Sequence, residues 1–200
     1  MSDPTVQADL VLSDDSSYCQ CPIAWDPSTI DSSTMIPLVW NSTNRWCECP
    51  NIDVLLNTTT QVKTEWDESV YMCRCPFPTG DIGLTLASAT PTYCQCPNPT
   101  LDPTKEVALV LDVTNNDSCI CPKRASITNA SRQVNIVVSS GNDKCVCPSP
   151  SQSIDTTIQA SLKLDTATFL CECPMSLLSD LTTQANLLLS ADSTYCECPT

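Results

Sequence analysis

The chain has no histidine and only three glycines in 200 residues. Without histidine, neither a Ser-His-Asp nor a Cys-His nucleophile arrangement can form. With so little glycine there is no glycine-rich loop to cradle phosphates. Carboxylates are plentiful but scattered through turn-like segments, where solvated faces account for them, so no catalytic residue is expected. Cations are scarce: nine Lys and Arg stand against 23 Asp and Glu, a net charge of −14. Affinity for nucleic acid comes largely from Lys and Arg contacts to phosphate, so nucleic acid is not an expected partner. The acidity is read as an aid to solubility, with cation binding secondary. No apolar run approaches the roughly 20 residues of a membrane helix; Ala108-Leu109-Val110-Leu111 is typical of the longest. No signal peptide is read either, because Met1-Ser2-Asp3-Pro4 opens straight into repeat-like sequence, as expected of a mature chain, a fragment or an artificial start.

Cysteine is abundant instead, and all 16 fall in eight Cys-x-Cys-Pro motifs: Cys19/Cys21, Cys47/Cys49, Cys73/Cys75, Cys94/Cys96, Cys119/Cys121, Cys145/Cys147, Cys171/Cys173 and Cys196/Cys198. Successive motifs are 28, 26, 21, 25, 26, 26 and 25 residues apart. A period of this length marks a repeat architecture, in which each unit needs a neighbour to bury its apolar face. The motifs divide the chain into one continuous array of eight units, 1–22, 23–50, 51–76, 77–97, 98–122, 123–148, 149–174 and 175–199.

A second pattern precedes each motif. Val6, Ala8, Leu10 and Leu12 alternate, as do Ile36, Leu38 and Trp40; Val134, Ile136 and Val138; Ile158, Ala160, Leu162 and Leu164; and Ala185, Leu187 and Leu189. Val62 and Trp66 match more loosely, and the runs ending in Leu86 and Leu111 are offset by one residue, which is read as a bulge. Alternation with period two predicts a half-buried strand. Turn-formers follow, as at Asn41-Ser42-Thr43-Asn44 and Gly141-Asn142-Asp143. A short Cys-x-Cys strand comes next, and proline ends it by removing a ladder donor. Connectors such as 97–103 and 148–150 are expected to run extended, and 175–181 to form one helical turn. The expected fold is all-β: tandem hairpin-like repeats of about 25 residues, stacked into an elongated, disulfide-laddered array or fibre.

Within one strand the two cysteines of a motif lie about 6.6 Å apart on one face, too far for a bridge whose Cβ atoms sit about 3.5–4.5 Å apart. Bridges between neighbouring repeats fit better, with one cysteine of each motif reaching back and the other forward. Such a ladder leaves one cysteine over at each end. A second copy placed head to tail would put its Cys19 23 residues after Cys196, inside the range found within the chain. The sequence therefore points to a structural subunit or segment of an extracellular filament, with copies of itself as partners. No cofactor is expected, and covalent glycans are the one addition foreseen.

The Asn-x-Ser/Thr sequons at Asn41, Asn57, Asn116 and Asn129 are the candidate glycan acceptors, and Thr58-Thr59-Thr60 suits O-glycosylation. Two other readings stay open. A rigid extracellular stalk or adhesin would use the same array to display a binding surface. Alternatively, the Cys-x-Cys spacing resembles that of metallothioneins, which implies four-thiolate sites for zinc or a softer ion. That family is far richer in cysteine and lacks the alternating Leu and Val of this chain. Tyr71-Met72-Cys73-Arg74-Cys75-Pro76 is similar to the end of an epidermal-growth-factor-like module, but the six-cysteine frame of that family is not present.

Overall fold

The computed structural model describes residues 7–13, 17, 19–23, 28, 30–50, 57–87, 93–175 and 186–199. The fold is all-β, a tandem series of small antiparallel sheets tied by consecutive disulfides. The chain divides into two compact units, 1–97 with 110–120 and 98–109 with 121–200.

Each three-stranded sheet is centred on a cysteine strand. In the first unit, Trp46–Glu48 lies between Val39–Asn41 of its own repeat and Gln7–Ala8 of the repeat before. Met72–Arg74 lies likewise between Glu65–Asp67 and Met35–Ile36, and Cys94–Gln95 between Thr85–Leu86 and Gln61–Val62. Cys119–Ile120 pairs with Val110–Leu111, and the strand from the preceding repeat is reduced there to a single bridge, Gly83 to Ser118. The second unit repeats the pattern with Cys145–Val146, Leu170–Glu172 and Tyr195–Glu197 as its central strands.

Among the described residues the alternating run, expected from its period to be a single strand, is thus divided into half-strands of two different sheets, with only a single bridge on the lent side in the fourth repeat. The residue eleven before a motif's first cysteine is lent to the next repeat, as Ile36 is to Cys73. The residue seven or eight before pairs within its own repeat, as Trp40 does with Cys47. The middle apolar residue turns inward between them: Leu38, Leu84, Leu109, Ile136 and Leu162 are all buried, and Thr64 takes the same place in the third repeat. This division explains Pro37, which sits between the two half-strands, where neither ladder requires an N–H.

Half of the buried apolar residues are cysteines, 11 of 22 among the described residues. In the first unit Leu38 packs with Cys47, Cys49 and Cys73, and Ala8, Cys21, Ile36 and Trp66 close over them. Bridges with a few aliphatic side chains between them make up this core. That composition suits units too small to assemble a large aliphatic one.

The one-residue offset at Leu111 is not a strand bulge. Leu111 stays opposite Cys119, the Asp112 amide donates to the Ser118 carbonyl, and the extra residue enlarges the loop between them. The loop after Leu86, the Met175–Leu181 helical turn and Tyr18 fall wholly or largely outside the described residues. Connectors 97–103 and 148–150 carry neither helix nor strand.

Candidate functional site: the disulfide ladder and its ends

Seven disulfides join the second cysteine of each motif to the first of the next: Cys21–Cys47, Cys49–Cys73, Cys75–Cys94, Cys96–Cys119, Cys121–Cys145, Cys147–Cys171 and Cys173–Cys196. Their Cα–Cα distances of 5.5–5.8 Å are ordinary for a bridge. The lent half-strand creates this geometry. It lays one repeat beside the next repeat's cysteine strand and brings the two motifs within reach. Each bridge closes a ring of about 25 residues, which restricts the unfolded chain by about 3–4 kcal/mol in the loop-entropy account.

Cys19 and Cys198 are free and exposed within the single chain. They are the two cysteines that a neighbour-to-neighbour ladder leaves over. Sulfur held in a bridge has no thiolate to offer a metal, so thiolate chemistry in the oxidised protein rests with these two.

The four sequon asparagines have different local roles. Asn57 and Asn129 each open a turn. The Asn57 Oδ1 accepts from the Thr59 amide at 3.0 Å and from its hydroxyl at 2.6 Å. The Asn129 Oδ1 accepts from the Ser131 amide at 3.2 Å and from its hydroxyl at 2.7 Å. Aspartate does the same at Asp31, Asp102 and Asp155, with Ser33, Thr104 and Thr157 as donors. A glutamine or glutamate four residues on accepts from the backbone amide of the turn-opening residue, as Gln61 does at 2.9 Å and Gln159 at 2.8 Å. This reciprocal pairing resembles the capping box of a helix.

The motif is Asx-x-Ser/Thr-x-Gln/Glu, sixteen or seventeen residues before six of the eight cysteine pairs; the second repeat has Met35 in the last place and the fourth lacks the motif, and sequence reasoning missed it. It could have been found by aligning the repeats on their cysteines, since Asp3-Pro4-Thr5-Val6-Gln7 and Asp180-Leu181-Thr182-Thr183-Gln184 also carry it. Asn57 and Asn129 match a glycosylation signal because the turn itself calls for Asx-x-Ser/Thr.

Asn41 opens the hairpin turn. Its Oδ1 accepts from the Thr43 and Asn44 amides, and its Nδ2 donates to Glu48 Oε1 at 2.6 Å, so the acceptor nitrogen of that sequon is already engaged. Asn116 is exposed in a hairpin loop at φ 56°.

Donors in these turns stabilise the charged carboxylates. The Ser33 hydroxyl and amide hold Asp31 below its ordinary pKa, and the Thr104 and Thr157 hydroxyls and amides do the same for Asp102 and Asp155. Between strands, Arg74 pairs with Asp67 at 2.7 Å and Lys144 with Glu106 at 2.8 Å.

Among the described residues no helix is long and apolar enough to cross a membrane. Compared with protein-family models, curated proteins and solved structures, the chain matches none of them. The disulfide-rich, all-β repeat architecture is consistent with an extracellular structural protein.

Proposed function

We propose that this chain is a structural subunit or segment of an extracellular filament, built to resist extension, unfolding and proteolysis, and that it is not an enzyme. The observation that carries this reading is the order of the bridges. They do not overlap, so the oxidised chain from Cys21 to Cys196 is a string of seven rings joined through single intervening residues. Pulled straight with its bridges intact, that stretch reaches only about 80 Å, against about 600 Å for the same residues reduced. Load passes from ring to ring through sulfur, and a locally unfolded repeat adds almost no length. Disulfides of this density persist in oxidising compartments, which supports a location outside the cytosol.

Glycans are the expected covalent addition. Asn57, Asn116 and Asn129 are exposed and are the better acceptors, because the Asn41 amide nitrogen is bonded to Glu48. Denaturing gels with and without reductant, read beside negative-stain electron microscopy of the same sample, test the reading. Large species that collapse on reduction, together with thin fibres, are the expected result. A 21.7 kDa monomer under both conditions with no fibres overturns the filament and leaves a stalk.

A further inference from the structure

We infer that the two ends of the chain are the two halves of its own repeat-to-repeat interface, and that Cys198 of one copy forms a disulfide with Cys19 of the next. The inference rests on the filament reading and supplies its junction. Three features of the first repeat differ from those of the interior. Its sheet has two strands, Val11–Leu12 and Cys19–Gln20, and no described residue lends it a third. Its apolar side chains are less covered: Leu10 is 36% exposed, where the equivalent Leu38, Leu84, Leu109, Ile136 and Leu162 are 1–9%, and Leu12 is 63% exposed, against 4% at Leu111, 37% at Val138 and 46% at Trp40. Its Cys19 thiol is free and exposed, where every other first cysteine is bridged. Open edge, less covered side chains and free thiol together are the receiving half of the interface that joins interior repeats.

The last repeat carries the lending half. Cys198 is held where Cys173 is held: its amide donates to the Ile158 carbonyl at 3.2 Å, as the Cys173 amide donates to the Arg132 carbonyl at 2.9 Å. Cys173 bridges forward to Cys196, and Cys198 presents the same thiol with nothing bonded to it. By count from the cysteines, Ala185 corresponds to Ala160, which pairs with Cys196; residues around Ala185 lie outside those described. The occupant of the open edge is therefore a second copy of this chain, entering with its last repeat. Interior pairing also gives the polarity, because second cysteines bridge only to first cysteines.

The bond forms by thiol–disulfide exchange with a small-molecule disulfide such as oxidised glutathione. The Cys19 thiolate attacks the oxidant and releases one reduced glutathione. The Cys198 thiolate then attacks the Cys19 sulfur and releases the second. Two protons leave the protein, and the two electrons reside in the two glutathione molecules.

Cys19→Ser and Cys198→Ser variants, alone and mixed in equal amounts in a glutathione redox buffer, test the junction. Both residues are exposed and unpaired, so neither change disturbs the seven internal bridges. The mixture is expected to stop at a dimer whose digest contains a Cys19–Cys198 peptide, formed at least tenfold faster than any dimer of either variant alone. The Cys19 and Cys21 amides of the receiving copy should exchange hydrogen more slowly in that dimer. Homodimers forming as fast as the mixed dimer, or unchanged amide exchange, overturn the junction. Fibres of the Cys19→Ser/Cys198→Ser double variant would then keep the filament reading standing, whereas wild-type protein without oligomers or fibres overturns both.

Discussion

Asn57 shows how one residue answers to two chemistries. Its carbonyl oxygen holds the turn, and the same triplet is a glycosylation signal. Aspartate fills the equivalent place at Asp31, Asp102 and Asp155, so Asn57→Asp should remove any glycan and leave unfolding unchanged. Asn57→Ala should lose the glycan and also about 1 kcal/mol, the usual worth of such bonds. Glycopeptide mass spectrometry and denaturant unfolding separate the two effects. Arg45, Tyr71 and Phe169 sit in the left-handed region at φ 63°, 55° and 57°, where side chains are disfavoured. Phe169 has a reason to stay, since its ring stacks under the Arg124 guanidinium. Arg45 is exposed, and Arg45→Gly is expected to stabilise the protein by up to about 1 kcal/mol, the strain relieved less the added entropy of the unfolded chain. A lower denaturation midpoint for Arg45→Gly would contradict this account of the turn.

At the scale of the element, the lent half-strand and the turn that opens it form the working unit. Leu109 lies at its centre and is 1% exposed; Leu109→Ala should cost about 2–5 kcal/mol in denaturant unfolding of the oxidised protein. The turns also set the acid limit. Asp31, Asp102 and Asp155 have folded pKa values below their unfolded ones, so the unfolded chain takes up protons first as pH falls. Their contribution is complete above the unfolded value, near pH 4, and disappears as pH drops through the lower folded values. The melting temperature should therefore fall as pH drops below about 4. Changing these three residues to Asn should flatten that slope while the turns persist; an equally steep slope would place the acid sensitivity elsewhere. The two-strand hairpin was legible in the alternation and in Asn41-Ser42-Thr43-Asn44. Its division between two sheets was not, because period two looks the same whether a run meets one partner or two.

For the whole molecule, the order of the rings sets the mechanics. In single-molecule pulling from the termini, the oxidised protein should show almost no contour-length gain from the Cys21–Cys196 stretch, while reduction should release about 500 Å. A large gain with the bridges intact would mean that another pairing is present. Assembly should also depend on salt. Copies carrying −14 each repel one another, and raising ionic strength from 0.01 M to 0.15 M shortens the screening length from about 30 Å to about 8 Å. Oligomerisation in glutathione buffer should accelerate over that range, and light scattering against time would show it.

Local and covalent facts were decided in the sequence. Eight motifs at a steady period demand a repeat, the 6.6 Å spacing within a strand (about two residues' rise) forbids a bridge within one motif, and an open ladder must leave a thiol at each end. These follow from chain geometry alone. The tertiary structure decided which partner each half-run meets, which side chain turns inward, and where a sequon serves as a turn. Those outcomes depend on residues about 25 positions apart being laid side by side, and only the packed sheet brings Ile36 to Cys73 while Trp40 stays with Cys47.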